Sequence, residues 1–353
     1  MSRRLAEAVE TVAAPAVDAS APSASAELSE GVFEIAGGLR LHHGGSLERV
    51  RVAWRLEGAG GAPVVVALGG ISAHRRIFCD ENPHDGWWPE LAGPGRPLDA
   101  SRFRLLGFDF LGGGGATTGP EPGQSGYPPV SSYDQAEILC RVCDELGIAR
   151  LHAIVGASYG GMVALAFGER FPRRVGRLLA ISAAHRTNPL ATAWRSIERE
   201  AVRLGLSHGD GAGGLRLARA LAMATYRTRQ EFEQRFDDTP RIEGTRAVFP
   251  VERYLFARGE DYARRYAPGA FMCLSESIDL HRVQPEAITV PVTLVAVTED
   301  QLVTVDEMRE LEGRLGGPRR LYEIHSLFGH DAFLKERVQL EPVFRQALDG
   351  ADP

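Results

Sequence analysis

The sequence predicts an α/β fold with a mostly parallel central sheet and helices on both of its faces. Short apolar runs bounded by Gly and Pro alternate with segments of helical period. One of these runs, VVVAL at 64–68, is apolar throughout, as a strand buried on both faces must be. Between about 187 and 283 the alternation stops, and helical segments follow one another with no buried-strand run between them. That stretch reads as a helical insertion placed where it can cover the ends of the sheet.

Residues 50–56 and 64–68 are the first strands, and FRLLGFDF at 103–110 is the next. Residues 133–146 have helical spacing, with Ser131 or Ser132 as N-cap, and stop at Gly147. A strand at 151–155 leads into a helix at 161–170 that ends at Phe171 and Pro172, and 178–182 is a strand again. The insertion holds helical segments at 191–204, 214–226, 228–236 and 251–266. Strands at 292–297 and near 321–324 follow, with Asp306 expected to cap the helix between them, and a terminal helix starts at about Leu334. The expected organisation is an Ala/Ser/Pro-rich disordered tail over 1–27, a core built from 28–186 and 284–353, and a helical lid over 187–283. No internal repeat is visible.

The chain has 353 residues, 44% of them hydrophobic, 24% charged and 8% aromatic, with a net charge of −6. That composition buries a large core and excludes whole-chain disorder and a nucleic-acid partner held by bulk positive charge. Four cysteines in a chain of this length make no disulfide framework, which fits a reducing, cytoplasmic setting. No apolar run approaches the roughly 20 residues that span a bilayer, so no membrane partner is expected. The first residues lack the apolar core of a secretory signal, and Glu7, Glu10 and Asp18 argue against an acid-poor transit peptide.

The sharpest local signal is GASYGG at 156–161, which follows the apolar run LHAIV and opens the helix GMVALAFGER. A G-x-S-x-G between strand and helix is a nucleophile elbow, in which a sharp turn projects the oxygen of Ser158 above the sheet. Gly156 and Gly160 allow that turn to pack closely. The amide of Tyr159 then stands at the helix start, ready to donate to an oxyanion. A second donor is expected from the turn after VVVAL, at Leu68, Gly69 and Gly70, with Leu68 as the first choice.

A serine hydroxyl needs a base, and a histidine oriented by a carboxylate supplies it. In the order Ser, acid, His, the base follows a late strand. His330 in SLFGHDAFL meets that condition, and His325, closer to the strand, is its rival. His185 and His281 read as hydrogen-bonded surface residues. The acid lies just past the strand in VPVTLVAVTEDQLV, where Asp300 is preferred and Glu299 is the alternative. Asp109 precedes Ser158 and reads as a turn-forming residue. Cys140 and Cys143 form a C-x-x-C inside a helical run and read as one packed helix face. No His/Cys spacing suits a metal, and Gly112 to Gly115 lacks the lysine of a phosphate-binding loop. The residues support a Ser–Asp–His acyl-transfer enzyme of the α/β-hydrolase type, without saying whether water or another nucleophile receives the acyl group.

Further motifs resemble the homoserine O-acyltransferase family of methionine biosynthesis: GWWPELAGPGRPLD at 86–99, LGGGGATTGP at 111–120, the elbow itself, MATYRTRQEFEQRF at 223–236 and GHDAFL at 329–334. They run in the family's order over most of the chain after the tail. The resemblance implies transfer from an acyl-CoA co-substrate to the side-chain hydroxyl of L-homoserine through an acyl-Ser158 intermediate, with ping-pong kinetics, no tightly bound cofactor and no metal. It assigns Arg227 to the acceptor's carboxylate and Asp331 to its ammonium, and it implies a homodimer built through the lid. The chain departs from the family around its pockets, with Leu68-Gly69-Gly70 in place of LTG, Tyr159 in place of Met, and EPGQSGYPP after TTGP.

A succinyl donor differs from an acetyl donor by a terminal carboxylate, which needs a cation once it leaves water. His74, Arg75, Arg76 and Arg195 are candidates, although each also reads as a solvated surface charge. Arg195 is preferred, because the corresponding segment of acetyl-specific relatives lacks an arginine there. The reading is therefore homoserine O-succinylation, with homoserine O-acetylation or serine O-succinylation as alternatives on the same scaffold. A serine esterase is the alternative of another class; the charged lid residues Arg195, Arg227 and Arg229 weigh against it.

Overall fold

The computed structural model of the chain describes residues 27–79, 82, 85–124, 126–236 and 239–350. The chain opens with β1 (Glu27–Glu34), β2 (Leu39–Arg40), β3 (Ser46–Leu47), β4 (Arg51–Gly58), β5 (Val64–Leu68) and β6 (Arg104–Phe108). Next come α1 (Ser132–Glu145), β7 (Leu151–Ala157), α2 (Tyr159–Arg170) and β8 (Val175–Ile181). The insertion contains α3 (Pro189–Ser207), α4 (Gly211–Tyr226), α5 (Arg229–Arg235), the hairpin β9 (Arg241–Glu243) and β10 (Arg246–Val248), α6 (Pro250–Ala263) and α7 (Pro268–Asp279). The chain then returns through β11 (Val292–Val297), α8 (Val305–Arg314), β12 (Arg319–Ile324) and α9 (Arg337–Asp349).

The main sheet has eight strands in the order β1-β4-β6-β5-β7-β8-β11-β12. β1, β4 and β6 pair antiparallel, and every neighbouring pair from β6 to β12 is parallel. Strand period two divides the core into two layers. Val64, Val66 and Leu68 of β5 face the layer that α1, α2 and α8 cover, while Val65 and Ala67 face the layer closed by α9 and Trp88. Cys140 and Cys143 are buried free thiols on the packed face of α1, and burial pushes Cys143 up to about 12. The crossover from β6 to β7 passes β5, so the strand order reverses between β5 and β7. Ligands of open α/β sheets bind beyond the carboxyl ends of the strands at such a reversal.

Several boundaries differ from the sequence reading, each for a local reason. The tail expected over 1–27 lies outside the described residues except for Glu27, which opens β1. β1 is an edge strand of mostly exposed polar residues (ELSEGVFE), so it carries no apolar alternation to announce it. α7 follows the last helical segment expected, at 251–266; it begins with Pro268-Gly269, and Pro at the first helical position costs no hydrogen bond. Asp306 does not cap α8: Thr304 does, through a capping box with Glu307. Residues 329–334 form a 3-10 turn, so the terminal helix starts at Arg337 instead of Leu334. His185 and His281 are buried, not surface, residues, at 3% and 2% exposure. His281 bonds Ser132 Oγ at 2.7 Å and the Ala184 carbonyl at 3.0 Å, and burial holds it down to about 3.

The insertion packs α3 on α4 and α4 on α6, around a small core of its own that includes Val202, Leu215, Tyr262 and Phe271. Below it, the elbow depends on close backbone contact. A Cβ at Gly160 would lie 2.3 Å from the Leu68 carbonyl oxygen, and one at Gly156 would lie 2.2 Å from that of Gly160. Gly160→Ala is therefore expected to cost about 1–3 kcal/mol, as overpacking does. Gly147, at φ 65° with open space around it, should accept Asn within about 0.5 kcal/mol, because Asn tolerates a left-handed C-terminal position. Denaturant titrations of the two variants check the contrast.

Candidate active site

Ser158 follows β7 directly and precedes the first residue of α2, with φ 54° and ψ −121°. Such a backbone costs a non-glycine residue on the order of 1–3 kcal/mol and persists only where its surroundings hold it. Here the Ser158 amide donates to the Ile181 carbonyl at 2.8 Å, and the Gly160 amide donates to the Gly69 carbonyl at 2.8 Å. The turn is thereby tied to both neighbouring strands.

His330 lies between the serine and an acid. Its Nε2 is 2.8 Å from Ser158 Oγ, and its Nδ1 is 2.7 Å from Asp300 Oδ2. A carboxylate only accepts, so Nδ1 carries the proton and Nε2 is free to accept from the serine hydroxyl. Asp300 is fixed in turn, because the Leu302 and Val303 amides donate to its Oδ1 at 2.8 and 3.0 Å. Glu299 points elsewhere: its Oε1 faces His325 Nδ1 at 3.2 Å and its Oε2 accepts from the Ser326 amide at 2.8 Å. The two rival pairs in the sequence are thus separate. Asp300 and His330 are buried beside the serine, while His325 is solvent-exposed.

The histidine turn is anchored by two motif residues. Trp88 Nε1 donates to the Phe333 carbonyl at 2.8 Å, which gives the second Trp of GWW a structural task. Gly329 has φ 52°, and a Cβ there would meet the Tyr226 carbonyl oxygen at 2.6 Å, so glycine lets the turn reach the end of α4. The rings of Tyr226 and Phe333 flank the imidazole at centroid distances of 5.8 and 6.3 Å. Burial alone would push His330 down, but the Asp300 carboxylate bonded to it, helped by Asp331, outweighs that and raises it above its ordinary 6.5.

Ser158 and His330 open into a cavity of about 180 Å³. Gly70, Ile71 and Ser72 from the turn after β5 form one wall, and Trp194, Arg195, Glu198 and Arg219 from the lid form another. Leu68 ends β5 beside Gly156 and is buried; Gly70, two residues on, is the part of that turn on the cavity wall. The Tyr159 side chain points into the core and bonds Ser277 Oγ at 2.5 Å, leaving its amide at the first position of α2, directly after the serine.

The charged candidates separate clearly. Arg195 lines the cavity, with Nε and one terminal nitrogen on Asp279 Oδ1 at 2.9 and 2.7 Å. Arg75 is taken up by Glu30 and Asp109, and neither it, His74 nor Arg76 reaches the cavity wall. Arg227 lies in a neighbouring outer cleft, where it donates to Asp331 Oδ2 at 2.9 Å and to Glu231 Oε1 at 2.8 Å. Asp331 borders both spaces.

The sequence reading missed Arg219. It also borders both spaces, and among the described residues it makes no ion pair. Its guanidinium instead stacks on the rings of Tyr226 and Tyr262, at 5.3 and 4.9 Å from their centroids. In sequence it is one arginine among several on a lid helix. Its spacing of seven residues from Tyr226, two helical turns along α4, is the only signal that could have marked it. Among the described residues no group of three His, Cys, Asp or Glu could hold a metal ion.

This arrangement can activate a serine hydroxyl and hold anionic and cationic groups beside it. Asp300→Asn should lower kcat on the order of 10³-fold or more, by loosening the imidazole and its tautomer, while Glu299→Gln stays near wild type. The acid limb of kcat/KM should have its midpoint above 6.5 in the wild type, because protonated His330 cannot accept the serine proton. The same raised value means that His330 protonation stabilises the fold at low pH, a contribution lost as pH rises through the folded-state value.

Comparison with known proteins agrees with this geometry. Residues 63–336 match the family model described as the alpha/beta hydrolase fold. The chain is 42% identical to a homoserine O-succinyltransferase of Xanthomonas campestris pv. campestris over 335 residues, 95% of this chain and 86% of that protein. It is 32% identical to a serine O-succinyltransferase of Litchfieldella anticariensis, over 90% of this chain and 97% of the relative. The crystal structure of a homoserine O-acetyltransferase from Bacillus anthracis superposes with a TM-score of 0.83 at 20% identity, covering 92% of this chain and 99% of that one. An eight-stranded sheet, a serine elbow with its histidine and aspartate, and similarity along nearly the whole sequence converge on one conclusion: the chain belongs to the homoserine O-acyltransferase family of α/β-hydrolase proteins.

Proposed function

We propose that this chain transfers the acyl group of an acyl-CoA, with succinyl-CoA preferred, to the side-chain hydroxyl of L-homoserine in methionine biosynthesis. The observation that carries the reading is the cavity wall. A serine–histidine–aspartate line opens into a space whose wall includes the guanidinium groups of Arg195 and Arg219 and the carboxyl group of Asp331. An apolar ester needs none of these charges. A zwitterionic acceptor and a carboxylate-bearing donor need all of them.

In the first half-reaction Ser158 Oγ attacks the thioester carbonyl carbon and its proton passes to His330 Nε2. The oxyanion accepts hydrogen bonds from the Tyr159 amide and the turn at 68–70. The tetrahedral intermediate expels the CoA thiolate, which takes the proton from His330, leaving acyl-Ser158. In the second half-reaction the acceptor hydroxyl gives its proton to His330 and attacks the acyl carbon. Collapse releases the O-acyl amino acid and returns the proton to Ser158 Oγ, giving ping-pong kinetics.

Arg219 takes the acceptor's carboxylate and Asp331 its ammonium. The role that the family resemblance assigned to Arg227 passes to Arg219, since the ion pairs of Arg227 with Glu231 and Asp331 make it the holder of Asp331. The donor's terminal carboxylate meets Arg195, whose second terminal nitrogen is left over from Asp279.

The same reading includes a homodimer in the cytoplasm. On α3, Leu190, Ile197 and Leu204 are exposed large apolar residues spaced by seven, and Leu217 on α4 joins them, as an interhelical seam requires. The four free cysteines suit a reducing compartment. Ile197→Glu with Leu204→Glu should convert a dimer to a monomer in light scattering, and a monomeric wild type would end that part of the reading.

The deciding assay follows thiol release with acetyl-CoA or succinyl-CoA crossed with L-homoserine or L-serine. Release that needs homoserine and is faster with succinyl-CoA is expected. Faster release with acetyl-CoA would remove the role of Arg195, dependence on serine would change the acceptor, and acceptor-independent release would indicate an esterase. Arg219→Ala should raise the homoserine KM by about 10- to 150-fold, the loss of a charged pair, while leaving the rate of Ser158 acylation nearly unchanged.

A further inference from the structure

Glu198 is the carboxyl group on the cavity wall that the reaction above does not use. It lies on α3, one turn beyond Arg195, and is 4% exposed. Asp279 and Asp331, the neighbouring carboxylates, each accept hydrogen bonds from arginines; Glu198 accepts none among the described residues. The charged and titratable groups around it come from four helices. Arg195 and Arg199 share α3 with it, Arg219 and Tyr226 face it from α4 and its end, Tyr262 from α6, and Asp279 from α7.

The cations nearest to Glu198 are occupied. Arg195 and Arg199 both donate to Asp279, and Arg219 stacks on two tyrosine rings. A carboxylate at 4% exposure on a cavity wall, with no hydrogen bond among the described residues, is costly to charge, and an incoming second carboxylate in the same cavity makes it costlier. We propose that Glu198 is a proton-linked specificity residue, taking up one proton from solvent as a carboxylate-bearing acyl chain seats beside Arg195 and returning it when the product leaves. The inference rests on the succinyl-donor reading.

Protonation removes the repulsion, and the neutral acid supplies a donor that the carboxylate lacked. Burial, offset by Arg195, Arg219 and Arg199, already pushes Glu198 up to about 7, so the exchange falls within the working pH range. Below that value the group is protonated before the donor arrives and no linkage appears. Above it, each donor bound carries a proton in. An acetyl donor brings no carboxylate and should not do so.

Calorimetric binding of succinyl-CoA and acetyl-CoA to Ser158→Ala protein tests this, at pH 6 to 9 in phosphate and in Tris. The difference in heat between buffers counts protons. Succinyl-CoA should take up close to one proton at about pH 8, with affinity falling by up to about tenfold per pH unit above 7, and acetyl-CoA should show neither effect. Adding Glu198→Gln should abolish the uptake, flatten the pH dependence and tighten succinyl-CoA at pH 8. Preferential succinyl-CoA binding with no uptake, or with uptake that survives Glu198→Gln, overturns the proton linkage alone. Equal binding of both esters overturns the donor reading and the linkage with it. The parent protein supplies the proton count even if Glu198→Gln does not fold.

Discussion

A single strained residue organises this molecule. Ser158 stands at φ 54° because strand β7 must end and helix α2 must begin within one residue, with the hydroxyl on the outside of the bend. The strain, on the order of 1–3 kcal/mol, is offset by contacts that only glycine permits. Gly156 and Gly160 bring the turn against its own helix and against the end of β5. The reversal of strand order between β5 and β7 opens the sheet at that point, so the nucleophile and the turn at 68–70 share one crevice. Asp300 after β11 and His330 after β12 then need to reach only across the carboxyl ends of the same sheet.

Above that crevice, the lid and the histidine turn lay out charges of alternating sign. From Arg195 the order runs through Glu198, Arg219, Asp331, Arg227 and Glu231 to Arg235. Packed in a low-dielectric setting, each charge sets the cost of its neighbours, and the pairs that close on themselves are mainly scaffolding. Arg227 closes on Glu231 and Asp331 in this way. Among the described residues, no carboxylate bonds Arg219, which is braced by tyrosine rings, and no group donates to Glu198; both face the space beside Ser158. The Ser158–His330–Asp300 line and the charges beside it are thus built from different parts of the fold.

Much of this was legible in the primary structure. Patterns governed by short spacing came through: the apolar strands, most helices, the elbow at 156–161, and the order Ser158, Asp300, His330. What misled were signals with two local meanings. Pro268-Gly269 starts a helix past the last helical segment expected, at 251–266, and β1, in the expected core, gives no strand signal because its run is mostly polar and its partner β4 supplies the pairing. Glu299 and Asp300 are adjacent and chemically alike, so spacing could not choose between them; the turn at 298–303 aims one at His325 and the other at His330. For the arginines, sequence supplied a count of cations and no partners.

The sequence by itself determined the fold class, the strand–serine–helix elbow and the family, because each depends on residue type at fixed local spacing. Tertiary structure alone decided which acid faces the histidine, that Arg219 and not Arg227 borders the cavity and makes no ion pair among the described residues, and that Glu198 accepts no hydrogen bond among them. These properties depend on what lies within a few ångströms across helices far apart in the chain. A charged side chain has the same local signature whether water, a carboxylate or an aromatic ring receives it, and only the packing of α3, α4, α7 and the histidine turn settles which.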